Sequence, residues 1–181
     1  TGDKLIVLSR GLLLRPSDWS EVARFNAMPD PNFIMPGQIL NIPIGLMKFG
    51  LATGKLISME GTVSSGAVPA VVGSTIGEGS RLQTGPNSSA VIELADGSRV
   101  QLLPGSLAEI VLSREYASRD AYASGSARWF SGLIRLNQGA METLATKLGR
   151  RATPLQVETP TTIVGVRGTR FRVAHENSTG G

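Results

Sequence analysis

From Lys55 onward the chain is a succession of short runs in which apolar and polar residues alternate, each ended by a turn. A period of two puts successive side chains on opposite faces of a strand, so these runs specify sheet with a buried face. They fall at 55–64, 67–71, 80–84, 89–95, 98–103, 106–113, 128–136, 140–145, 155–158, 162–166 and 169–175. The 22 Gly and 10 Pro supply the punctuation that an all-β region needs. Hydrophobic residues are 41% of the chain and aromatics 5%, so the β core must rest on Val, Ile and Leu.

Asp96-Gly97 between two alternating runs predicts a two-residue hairpin with a type I′ turn, which needs positive φ. Gly79-Ser80-Arg81-Leu82-Gln83 returns as Gly97-Ser98-Arg99-Val100-Gln101, an echo that ordinary hairpin meanders also produce. The stretch 114–127, rich in Ala, Ser and Arg, is expected to form a surface excursion, part of it helical. A β-roll or solenoid-like stack is the expected architecture, with a β-sandwich as the alternative.

Residues 1–44 follow a different pattern, helix–helix–strand, and 45–54 is expected to be a linker. Apolar residues crowd Leu5 to Leu14, and Pro16 is expected to end that helix. Asp18 stands three residues before Glu21, as in a capping box with Asp at the N-cap. Trp19, Val22, Ala23 and Phe25 form the stripe of the second helix, closed by Pro29 and Pro31. Ile39 to Pro43 reads as a strand, with Leu40 and Ile42 on one face.

Several chemistries are excluded or disfavoured. The chain has no cysteine, which removes disulfides, thiolate metal sites and Cys nucleophiles. His175 is the single histidine, so a triad or a multi-His metal centre has little to build on. No metal or other cofactor is expected. The net charge of +4, with 14 Arg among the 18 basic residues, is too small and scattered to indicate nucleic acid. Arg167, Arg170 and Arg172 are the densest basic cluster; on a strand, 170 and 172 share a face. Neither a signal peptide nor a membrane span is visible. The start at Thr1-Gly2-Asp3 and the tail at 176–181, which ends in Ser-Thr-Gly-Gly, read as cuts within a longer protein, so a missing signal says nothing against export.

Gly2-Asp3-Lys4-Leu5, Pro16 to Asn26 and, above all, the run Asn32-Phe33-Ile34-Met35-Pro36-Gly37-Gln38-Ile39-Leu40-Asn41-Ile42-Pro43 resemble the LysM family. The opening strand that precedes Gly2 in that family is missing, Lys4 replaces a hydroxyl residue and Ile6 an aromatic. The resemblance implies a shallow groove for an N-acetylglucosamine polymer, most simply peptidoglycan. It would lie between one loop at Gly2, Asp3, Lys4 and Leu5 and another containing Asn32, Phe33, Ile34, Pro36 and Gly37. With its partner strand missing, Ile39–Ile42 would have an open edge. Each of these residues also has a structural reading: Asp3 as a helix cap, Ile34 as core, Pro36-Gly37 as a turn.

Residues 159–173, Thr-Pro-Thr-Thr-Ile-Val-Gly-Val-Arg-Gly-Thr-Arg-Phe-Arg-Val, resemble the most recognisable segment of FecR-type domains, and the likeness extends over 55–175. Gly165 and Gly168 flank Val166-Arg167, and glycine in a strand suggests a bulge or close backbone approach. Arg167 would then be either an anchored guanidinium, forked onto Glu158 or Glu142, or a solvated strand residue. The resemblance implies an exported, non-catalytic interaction domain. Together the two modules suggest a periplasmic or otherwise extracytoplasmic protein that binds peptidoglycan and docks an envelope protein or senses a signal. The alternatives are a wall hydrolase using carboxylates such as Glu93, Asp96 and Glu109, or a scaffold whose LysM site is degenerate.

Overall fold

Two short helices are followed by a large, mainly antiparallel sheet. The computed structural model describes residues 4–117, 128–144, 155–166 and 170–175. The chain divides into two units, Thr1–Gly50 with Tyr116–Arg128, and Leu51–Glu115 with Trp129–Gly181.

In the first unit, α1 (Leu5–Leu12) and α2 (Trp19–Phe25) close over a core of Leu5, Leu13, Val22, Ala23 and Ile34. α1 stops before Pro16 can end it. Leu13 turns extended and bridges Met47; Lys48 N donates to Leu12 O at 2.7 Å and Leu14 N to Leu46 O at 2.9 Å. A β-type pairing thus takes up the Leu12 carbonyl at the helix end, which the helix itself leaves without a donor. Pro16 instead opens a 3-10 turn, Pro16–Asp18, that runs directly into α2. Asp18 therefore sits at φ −75°, ψ 6°, away from N-cap geometry, and its carboxylate accepts from Arg15 Nε at 3.0 Å rather than capping.

The stretch expected as a linker is structured: a 3-10 turn at Ile44–Leu46, a buried Met47 and a short strand, β1 (Phe49–Leu51). The strand expected at 39–43 does not form. No other strand pairs with it among the described residues, and Asn26 takes the place of one. Its carboxamide donates to Asn41 O at 2.7 Å and accepts from Asn41 N at 2.8 Å. The alternation survives without the ladder, since Leu40 and Ile42 pack on the core while Ile39 is 85% exposed.

The second unit carries β2 (Gly54–Glu60), β3 (Val63–Ser65), β4 (Val68–Pro69), β5 (Thr75–Ile76), β6 (Arg81–Thr84), β7 (Ser89–Glu93) and β8 (Arg99–Leu102). These are followed by β9 (Leu107–Ala117), β10 (Arg128–Leu144), β11 (Leu155–Thr159), β12 (Thr162–Val166) and β13 (Arg170–His175). The spatial order is β4-β3-β6-β9-β10-β8-β7-β2-β5, with β11 and β13 also on β10 and β12 on β11. A solenoid would stack successive coils in parallel. The pairings instead are mainly antiparallel, between hairpin neighbours and between strands distant in sequence, while β10 and β11 pair in parallel. Alternation sets the core: in β6, β8 and β11 every second side chain is buried. Apart from Phe130 the cluster is aliphatic, centred on Leu56, Ile92, Val100, Leu102, Leu136, Met141 and Val157.

Two turns differ from expectation for a stated reason. The run 55–64 is broken at Gly61 (φ +71°), which approaches the Ser88 hydroxyl too closely for a Cβ. At 94–98, Gly97 N donates to Leu94 O at 2.9 Å and Leu94 N to Ser98 O at 2.8 Å, with Gly97 at φ +78°. Among the described residues only Ala27 and Asn87 are non-glycines at positive φ, so Asp96 cannot be in a type I′ turn. The loop has three residues, a type I turn with a glycine bulge, and Asp96 accepts from Ser98 N and Oγ, each at 2.9 Å. The sequence echo has a structural meaning: Gly79 and Gly97 both have positive φ, Leu82 and Val100 are buried, and Arg81 and Arg99 pair outward with Glu109 and Glu93.

Two runs expected at 128–136 and 140–145 are one 17-residue strand, β10, passing through Gly139 at φ +85°. A Cβ there would lie 2.5 Å from Ser106 Oγ and 2.8 Å from Gly105 O. Buried Ser106 donates to Ala140 O at 2.8 Å and accepts from Ala140 N at 2.9 Å. A second polar staple joins Glu78 to Arg114 (Nη2–Oε1 2.6 Å, Nε–Oε2 2.9 Å), with Ser113 N adding a bond at 3.2 Å.

Gly139→Val is expected to lower the unfolding free energy by about 3 kcal/mol through positive-φ strain and overlap, and Ser106→Ala by about 2 kcal/mol, measured in urea. The Arg114 hydrogen bonds hold the Glu78 carboxyl below its ordinary value of 4.5 against the opposing effect of burial. A depressed carboxyl stabilises the fold above its unfolded pKa and loses that contribution as pH falls through the folded one. Glu78→Gln should therefore cost about 1–2 kcal/mol near neutrality, and its unfolding midpoint should converge with that of the parent as pH drops below about 4.

Candidate functional site

The loops that the sequence nominates for a sugar groove meet in the first unit. Leu5 N, at the start of α1, donates to Pro31 O at 3.3 Å, which ties the Lys4-Leu5 loop to the Pro31–Gly37 loop. Asp30 Oδ1 accepts from Asn32 N at 2.8 Å and Asp30 O from Phe33 N at 3.3 Å, so a short Asx turn sets the second loop. Pro36-Gly37 then forms the corner of a tight turn. Gln38 N donates to Met35 O at 3.0 Å, and Gly37 takes φ +79°, the type II pattern with Pro before Gly. Gln38 Oε1 accepts from Met35 N at 3.0 Å and braces the same turn.

The nominated residues divide by exposure. Lys4, Asn32, Phe33, Pro36 and Gly37 face solvent, with Phe33 61% exposed. Leu5 and Ile34 are buried and belong to the core, so they shape the loops from beneath. Gly2 and Asp3 lie outside the described residues, as do Arg167 and Gly168. Beside these loops, a cavity of about 270 Å³ opens between α1 and residues 38–42, lined by side chains including Leu8, Leu12, Ile34, Leu40 and Ile42.

Gly165 is exposed in β12, and the β11/β12 register runs unbroken from Leu155↔Val166 to Thr159↔Thr162. Gly165 stands opposite Gln156 without a bulge, and the part of the expectation that concerns Arg167 and Gly168 lies outside the described residues. The carboxylates considered as partners for Arg167 are held by other arginines, Glu158 by Arg135 at 3.0 Å and Glu142 by Arg170 at 2.7 Å. The carboxylates considered for acid–base chemistry also have structural contacts: Glu93 with Arg99, Glu109 with Arg81, Asp96 within its own turn. Among the described residues there is no group of three or more His, Asp or Glu that could hold a metal ion.

A family model described as FecR protein matches residues 80–180, more than half of the 181-residue chain. The chain belongs to the FecR protein family. The match takes in β6 to β13, so the strand β10 and its partners β8, β9, β11 and β13 are the FecR part of the fold. No curated protein and no solved structure matches the chain. No helix among the described residues is long and apolar enough to cross a membrane.

Asn26 was missed by motif reasoning, although an Asn at the end of α2 is a signal that could have found it. It accepts and donates at Asn41 and also donates to Val22 O at 2.7 Å. Asn26→Ala is expected to cost about 1–2 kcal/mol and to speed hydrogen exchange at the Asn41 amide, while the FecR strands keep their protection.

Proposed function

We propose that the chain is a non-catalytic cell-envelope protein. Its first unit is a LysM-type module that binds an N-acetylglucosamine polymer, peptidoglycan, and its FecR domain docks an envelope protein or receives a signal. The observation that carries the first part is the Leu5 N–Pro31 O bond, which brings the two nominated loops side by side. A neutral acetamido sugar needs backbone donors and acceptors for its amide and an apolar surface for its ring. A glycine-cornered loop offers the backbone, and exposed Phe33 offers the surface. Family membership supports the second part and an extracytoplasmic location.

Co-sedimentation with insoluble peptidoglycan tests this reading. The intact chain should pellet and be released by soluble chitin oligosaccharides. Phe33→Ala should weaken binding about tenfold with an unchanged thermal melt. Gly37→Val should weaken it through positive-φ strain at the turn, since a Cβ at Gly37 meets no other atom within 4 Å. Ile34→Ala is a poor probe, because that side chain is core and its loss unsettles the fold. If the intact chain stays in the supernatant, the module is a scaffold and the proposal fails. Clearing of peptidoglycan in a zymogram would sink the non-catalytic part.

A further inference from the structure

The sheet has five ends among the described residues, and four are guarded against pairing. β4 carries Pro69, β1 and β5 are three and two residues long, and β13 presents Arg170 and Arg172. Proline, brevity and charge are the usual means of keeping an edge from accepting another strand. β12 has none of them. Thr162-Ile163-Val164-Gly165-Val166 is uncharged and regular, and among the described residues it is paired on one side only, with β11. Ile163 is 63% exposed at that edge.

From this edge we infer that β12 pairs antiparallel with β12 of a second copy of the chain, about a two-fold axis through Val164. This goes beyond the proposed function and does not rest on it. The register is fixed by self-complementarity. With Val164 facing its own equivalent, Thr162 faces Val166 and Ile163 faces Gly165 of the second copy. On the outer face the exposed Ile163 then lies over a residue with no side chain, so the largest projection meets the only gap. On the inner face the row Ile134–Val157–Val164, already aligned by the registers of β10, β11 and β12, continues into the same row reversed. No like charges are brought together, because the nearest outward carboxylate, Glu158, is held by Arg135 within its own copy. A foreign strand would have to supply this alternation of bulk and gap, whereas a second copy contains it.

A five-residue edge buries much less than the ~800 Å² per partner of a standard interface. The dimer is therefore weak and concentration-dependent, and two-fold pairing of one patch with itself closes without growing into a fibre.

Sedimentation velocity of the full chain over a wide concentration range tests the pairing. The parent should shift from monomer to dimer, and Ile163→Lys should weaken association at least about tenfold with an unchanged melt. The chain has no cysteine, so single-cysteine variants report geometry directly. Under mild oxidation Val164→Cys should cross-link to its equivalent. Thr162→Cys should not, because the two copies of residue 162 are about 13 Å apart along the paired strands. Cross-linking at 164 keeps the test decisive if Ile163→Lys fails to fold. A monomer at every concentration, a dimer that Ile163→Lys leaves intact, or equal cross-linking at 162 and 164 overturns the inference.

Discussion

The β unit depends on a hydroxyl that takes the place of a backbone carbonyl. Where β10 passes Gly139, Ala140 O accepts from the Leu103 backbone N–H at 2.9 Å and from the Ser106 hydroxyl, and that same hydroxyl, in place of a backbone carbonyl, accepts from Ala140 N. Ser106 is itself held, since its N–H donates to Thr84 Oγ1 at 2.9 Å and its carbonyl accepts from Thr84 N at 2.9 Å. Thr84 Oγ1 in turn donates to Leu103 O at 2.6 Å. A fully bonded buried hydroxyl cluster is stabilising and specific, whereas the same groups left open would be costly. On either side of this point β10 has different neighbours: β11 along Leu133–Arg135, β8 and β13 along Met141–Leu144. One strand thereby joins two sets of strands over one aliphatic core, and the staple fixes where the change occurs.

Substitution of a side chain for backbone partners goes further in the first unit. Asn26 answers both polar groups of Asn41, so a segment with no neighbouring strand keeps its extended form and its in–out alternation. The turn at Met35–Gln38 is braced in the same manner by the Gln38 carboxamide. The candidate sugar loops are thus held by local hydrogen bonds above a small core, and their solvent-facing residues are free to meet a polymer. In the second unit the surface carboxylates have the opposite character. Glu78, Glu93, Glu109, Glu142 and Glu158 each face an arginine, which gives the sheet faces structural ion pairs.

The sequence determined the change of character near residue 50 and the places and inward residues of β6, β7, β8, β11, β12 and β13, because period-two alternation is a local property that burial of one face enforces. It did not extend β9 through 114–117, which it read as part of a surface excursion. It also determined the tight turns at Gly37 and Gly97, since both need positive φ and glycine adopts it without strain. Within the candidate site, the same reading marked Phe33 as a contact residue and allowed Ile34 to be core. It could not decide between strand and clipped extended chain at 39–43, or between capping and ion pairing at Asp18. Each outcome rests on a partner: Asn26, fifteen residues from Asn41, and the 3-10 turn that carries Asp18 into α2. Only the tertiary structure decided that the two runs around Gly139 are one strand, that β11 joins it in parallel, and that β12 has an unguarded edge among the described residues. Those are facts of non-local pairing, and alternation fixes which face of a strand is buried without naming the strand beside it.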